Sequence, residues 1–151
     1  MTRHIILDSS PLGLLANPAA NAEVFAISQW SRACIAAGHH LYIPEVIDYE
    51  LRRELIRAGK TQSIAKLDGL KSVFHYLPIT TPAMLRAAEL WAYSRQQGVA
   101  TGDPKKIDID VILSAQALTM AVPAASIIIV TSNVRHIARF VPADLWTSLR
   151  P

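Results

Sequence analysis

Three acidic residues of the sequence fall where a carboxylate does not lie idle. Asp8 directly follows an apolar run at 4–7 (HIIL), Glu50 lies inside the segment 43–55 (IPEVIDYELRREL), and Asp110 is the only charged residue between 109 and 122. An unpaired buried carboxylate is costly, and several in one cleft raise one another's pKa. A divalent cation resolves that conflict. All-oxygen, carboxylate-rich ligation with waters suits Mg²⁺ or Mn²⁺ and argues against zinc. Ions held in this way activate water and steady a leaving oxygen in phosphodiester hydrolysis. Asp8, Glu50 and Asp110 are therefore the candidate metal ligands and catalytic acids, with Asp108 as a further metal ligand, cap or supporting residue.

The spacing supports this reading and also supplies its plain alternatives. On a helix over 44–58, with Ile47 at zero and about 100° per residue, Val46, Ile47, Leu51 and Leu55 define an apolar arc. Glu50 falls at about −60° and Glu54 at about −20°, both inside that arc. Ion pairing to Arg53 and Arg57 at its margin is the alternative. The helix after Asp108 is apolar nearly all round, so Asp110 must face a cleft or a strong partner. Asp8 alone would serve equally as a turn or cap residue, and Asp108 as an N-cap. After a strand at 126–130 (SIIIV) come Thr131, Ser132 and Asn133. Their hydroxyls and amide, with Ser9, are candidates for positioning water or a phosphate, or else form a capping box. Arg52, Arg53, Arg57, Lys60, Lys105, Lys106, Arg135 and Arg139 could supply phosphate contacts, with Arg53, Lys105, Lys106 and Arg135 foremost. His39 and His40 are adjacent and the other three histidines are scattered, so none has zinc spacing and they read as surface or edge residues.

The elements that must carry these residues follow from the same pattern. Short apolar strands are expected at 4–7, 41–43, 73–77 and 126–130, with a last one at 145–146. Helices are expected from the Asn17-Pro18 cap to Gly38, over 44–58, over 61–71, from the Thr81-Pro82 cap to Gln97, and from Asp108 to about Ala121. A polar loop lies at 98–107. Continuous apolar strands alternating with helices imply an α/β fold with a parallel sheet covered on both faces, where ligands bind at the carboxyl ends of the strands. The 151 residues are 51% apolar and 18% charged, which excludes disorder and fits a single domain over 1–151. Fifteen Lys and Arg against twelve Asp and Glu leave a formal charge of +3. The lone Cys34 excludes an internal disulfide and fits a reducing compartment. With neither a signal-peptide core nor a membrane-length apolar run, a cytoplasmic location is expected.

Taken in order, the blocks resemble the PIN domain family, including its small VapC-type toxins. ILDSSPLGLL (6–15) resembles the opening strand with its first acid, Asp8, and IPEVIDYELRREL (43–55) the second block, with Glu50 before a leucine. DVILSAQAL (110–118) resembles the most specific block, with Asp110 as third acid. VTSNVRHIARF (130–140) resembles the last, with Thr131 and Asn133 in the polar positions. Asn133 stands where many members carry Asp, and Ile137 where phenylalanine is usual. The resemblance implies a three-layer α/β/α PIN-like fold with a short-stranded parallel central sheet and Mg²⁺- or Mn²⁺-dependent ribonuclease activity on an RNA substrate. It further implies a homodimer and neutralisation by an antitoxin partner.

A reading of another class is a PIN-like module that binds RNA or protein but cleaves weakly or not at all. Other acidic α/β enzymes fit worse. A haloacid-dehalogenase phosphatase needs Asp-x-Asp after its first strand, where Ser10 stands, and a receiver domain needs an Asp ending its third strand. No glycine-rich phosphate loop is present.

Overall fold

The structure, a computed structural model, describes residues 1–98 and 107–151. Five strands, β1 (His4–Leu7), β2 (His40–Pro44), β3 (His75–Leu77), β4 (Ile127–Val130) and β5 (Ala143–Asp144), form one sheet. Their order is β3-β2-β1-β4-β5, and every neighbouring pair is parallel. Among the described residues seven helices flank it: α1 (Ser9–Leu15), α2 (Ala22–Ala36), α3 (Glu45–Arg57), α4 (Thr61–Leu70), α5 (Thr81–Gln96), α6 (Ile107–Leu118) and α7 (Val134–Ile137). This is the expected three-layer α/β/α arrangement. Because helices cover both faces, the central strands need no polar alternation, and Ile5, Ile6, Leu7, Ile129 and Val130 are all fully buried. No helix of the described residues is long and apolar enough to cross a membrane.

Several boundaries differ from expectation for local reasons. The Asp8-Ser9-Ser10-Pro11 run does end β1, but it also opens α1, because Asp8 is extended (φ −78°, ψ 175°) and caps that helix. Asn17 is not a helix cap. Its side chain instead accepts from the Ala19 N–H at 2.9 Å, and α2 is capped by Asn21, which accepts from Val24 N–H. Thr80 rather than Thr81 caps α5, its hydroxyl accepting from Ala83 N–H. Asp108 lies within the first turn of α6 and is not its cap, and that helix ends at Leu118 rather than near Ala121. The last strand falls at Ala143–Asp144, two residues before its expected place. The polar loop at 98–107, with Lys105 and Lys106, lies almost wholly outside the described residues.

Two polar clamps fix the helices that matter most. Gln116, buried in α6, accepts from Val46 N–H at the start of α3 (3.3 Å) and donates to the Leu77 carbonyl at the end of β3 (2.8 Å). It thereby satisfies one orphan donor of the α3 N-terminus. Asp48, 5% exposed, accepts from Arg52 Nε at 3.0 Å and from the Tyr76 hydroxyl at 3.0 Å, with Lys71 Nζ at 3.3 Å. Burial, and after it the Asp48 carboxylate, pushes the Tyr76 hydroxyl well above the ordinary tyrosine range. Arg52 reaches on to Asp68 at 2.7 Å, so the Asp48–Arg52 pair ties α3 to α4 and β3.

Truncating Asp48 removes the acceptor of the Tyr76 hydroxyl and leaves Arg52 with Asp68 as its one carboxylate among those named. Asp48→Ala is expected to lower the unfolding free energy by about 2–3 kcal/mol, measured by urea denaturation. Cys34 is fully buried in α2, and burial pushes its thiol up to about 11. It is therefore expected to resist iodoacetamide at pH 8 in the folded protein and to react once urea unfolds the chain.

Candidate functional site

The chain runs outward through β1, β2 and β3 and then returns to lay β4 on the other side of β1. The strand order therefore reverses between β1 and β4, and the crevice at their carboxyl ends is where open α/β sheets bind ligands. The register pairs Leu7 with Val130, so the next residues, Asp8 and Thr131, meet across that crevice. The Thr131 hydroxyl donates to Asp8 Oδ2 at 2.7 Å, and the Asp8 N–H donates to the Val130 carbonyl at 3.0 Å. Asp8 Oδ1 accepts from Ser9 N–H at 2.7 Å. Thr131 Oγ1 in turn accepts from Asn133 N–H at 2.9 Å. Four predicted residues, Asp8, Ser9, Thr131 and Asn133, are thus joined in one hydrogen-bonded chain. Asp8 is 8% exposed and Thr131 2%, so the carboxylate plane is fixed and only a small part of it meets solvent. Asn133 precedes α7 without a side-chain capping bond, and its amide is exposed.

Glu50 and Asp110 are both half-buried, on α3 and in the first turn of α6. The Gln116 clamp packs these two helices together, and Gly13 of α1 brings its backbone close to Leu51 beside Glu50, where a Cβ would lie 3.5 Å from Leu51 Cδ1. Asp108 is exposed and shares a groove of about 370 Å³ with Arg53, Tyr49, Met84 and Ile112. Glu54 turns outward to pair with Arg57 at 2.9 Å, since the last turns of α3 run beyond the core. Among the described residues no group of three or more His, Cys, Asp or Glu side chains is arranged so that it could hold a metal ion between them.

The basic residues divide sharply. Arg52 is committed to Asp48 and Asp68, and Arg57 to Glu54. Arg53 lies over the Tyr49 ring, 5.0 Å from its centroid, and stays exposed in the groove with Asp108. Arg135 is exposed on α7, while Arg139 covers Phe140 at 5.0 Å.

Two groupings were not read from the sequence. Asp48, rather than Glu54, is the deeply buried acid of α3, and the signal for it was the i,i+4 pair with Arg52. The histidines are not scattered in space: His4, His40 and His75 begin β1, β2 and β3 and meet at the amino ends of the sheet.

No protein-family profile matches the sequence, and no curated protein matches it. Solved structures do. A chain of VapBC2 from Rickettsia felis, bound to a DNA fragment from its promoter, superposes with a TM-score of 0.69 at 17% identity, covering 95% of this chain and 98% of that one. A chain of VapBC-1 from nontypeable Haemophilus influenzae gives 0.63 at 17% identity, covering 96% and 99%. DNA-bound VapBC from Salmonella typhimurium gives 0.62 at 16% identity, covering 97% and 99%. At these identities the likeness is one of fold, and over nearly its whole length this chain has the PIN-like α/β/α fold found in VapBC complexes.

Proposed function

We propose that this chain is a metal-dependent endoribonuclease that cleaves RNA phosphodiester bonds and acts as the toxin of a toxin–antitoxin pair. Its partners are an antitoxin protein and a second copy of itself. The observation that carries the reading is the Asp8–Thr131 contact: a carboxylate locked by hydrogen bonds at the switch point of the sheet. The likeness of fold to chains of VapBC complexes and the order of the acidic blocks support it.

The donor chemistry fits Mg²⁺ or Mn²⁺. Such an ion is commonly held through one or two carboxylates, waters and the phosphates of the substrate rather than by a closed protein cage. Asp8 would hold it, with one of Glu50, Asp110 or Asp108 as a second carboxylate and waters as the remaining ligands, since no three of the described side chains are arranged to share an ion. When bound, the ion supplies charge neutralisation and polarises the phosphoryl group. The chain's own residues do the positioning. Ser9 N–H and the Thr131 hydroxyl each donate to one Asp8 oxygen and so fix the plane in which the carboxylate can meet an ion. The exposed Asn133 amide can hydrogen-bond a water or the scissile phosphate, and Arg53 and Arg135 hold neighbouring phosphates by charge.

A second reading, an RNA-binding module without cleavage, draws on the lack of a three-donor group among the described residues. It requires RNA to bind without a divalent ion and to remain full length.

Purified protein is expected to shorten single-stranded RNA with Mg²⁺ or Mn²⁺ and to stop on addition of EDTA. Asp8→Asn keeps the side-chain shape and removes the charge, so cleavage should fall by about a hundredfold or more on a gel assay. Undiminished cleavage by Asp8→Asn would overturn the assignment. Thr131→Val removes the group that orients Asp8 and is expected to cost about tenfold to a hundredfold in rate, with a matching rise in the Mn²⁺ concentration needed for half activity.

A further inference from the structure

The amino ends of the same strands carry donors of a different kind. His4 is paired in register with His40, and Tyr42 with His75. Side chains two apart on a strand share a face, so His4, His40, Tyr42 and His75 form one cross-strand patch. His40 Nδ1 and His75 Nε2 lie 3.0 Å apart. The His4 ring stacks on His40 at 5.3 Å, with the planes 14° apart, and its Nδ1 is engaged by the Tyr42 hydroxyl at 2.8 Å. His39 is occupied separately, its Nδ1 accepting from Arg3 N–H.

We propose that His40 and His75 form a binding site for one divalent transition-metal ion of the Zn²⁺, Ni²⁺ or Cu²⁺ type. Two imidazole nitrogens at about 2.0–2.1 Å from a tetrahedral ion stand roughly 3.3 Å apart, so the pair needs to open by only a few tenths of an ångström. His75 is exposed on the edge strand and can supply that movement. The ion takes the place of the proton shared between the rings, which moves to the outer nitrogen of the ring that donated it. Waters complete the coordination, since no three-residue donor group exists among the described residues. The strands hold both ligands on a rigid frame, and the stacked His4 backs His40. Imidazole donors prefer these ions over Mg²⁺ and Mn²⁺, which separates the patch chemically from the carboxylates at the opposite ends of the strands.

The test is calorimetric titration of the intact protein with ZnCl₂ and with NiCl₂ in excess Mg²⁺, with histidine ring NMR read in parallel. One saturable equivalent is expected, with the ring signals of His40 and His75 shifting first. His75→Ala and His40→Ala, each checked for native circular dichroism, should weaken binding more than about tenfold, while Asp8→Asn leaves it unchanged. Absence of saturable binding, wild-type affinity in both histidine variants, or loss of the site in Asp8→Asn would each overturn the proposal.

Discussion

The pairing of β1 with β4 sets two residues 123 positions apart at hydrogen-bonding distance, and the rest of the site is arranged around that rung. Strands alternate their faces with a period of two, so a slip of one residue would turn Thr131 away from Asp8 and exchange the side chains that β4 presents to the two helix layers. The fully buried Ile5, Ile6, Leu7, Ile129 and Val130 forbid such a slip, because every one of them is packed between helices. The register is therefore a product of core packing, and the polar contact at its end inherits its accuracy from apolar neighbours. The same packing makes the contact affordable: both polar partners are almost shut off from water, and each satisfies the other.

Much of this was legible in the sequence, and what was not has physical causes. β4 is a run of β-branched residues, and α6 is apolar nearly all round with Val111 and Leu113 to Ala117 buried, so both announced themselves, and with them the placement of Thr131 and Asp110. α1 was hidden because an Asp-Ser-Ser-Pro run that stops a strand is also a good helix start, and only the tertiary setting decides between them. A helical wheel treats every turn alike, yet the end of α3 leaves the core. Glu54, inside the apolar arc of the wheel, is exposed there, while Asp48, just beyond its edge, is buried in a clamp. The histidines met only through strand register, which sequence spacing does not carry.

The parallel sheet also explains why the charge balance of the chain said little about its chemistry. A net +3 averages over arginines that are already committed to carboxylates, Arg52 to Asp48 and Arg57 to Glu54, and over an acid held at the carboxyl end of β1. The fold separates donors by hardness, with carboxylate and hydroxyl oxygens where β1 and β4 end and imidazoles where β1, β2 and β3 begin.

The three tryptophans give the molecule its own optical readout. Trp30 is 7% exposed, donates its indole N–H to the Leu149 carbonyl at 2.8 Å, and has the Trp146 ring 6.1 Å away. Trp91 is 39% exposed on α5, beneath the Arg95 guanidinium. An indole shielded from water emits to the blue of an exposed one, so undocking of residues 145–149 from α2 shifts the Trp30 and Trp146 emission red and leaves that of Trp91 in place. Fluorescence from the unmodified chain can therefore follow the seam between α2 and the residues after β5 separately from events on the α5 surface.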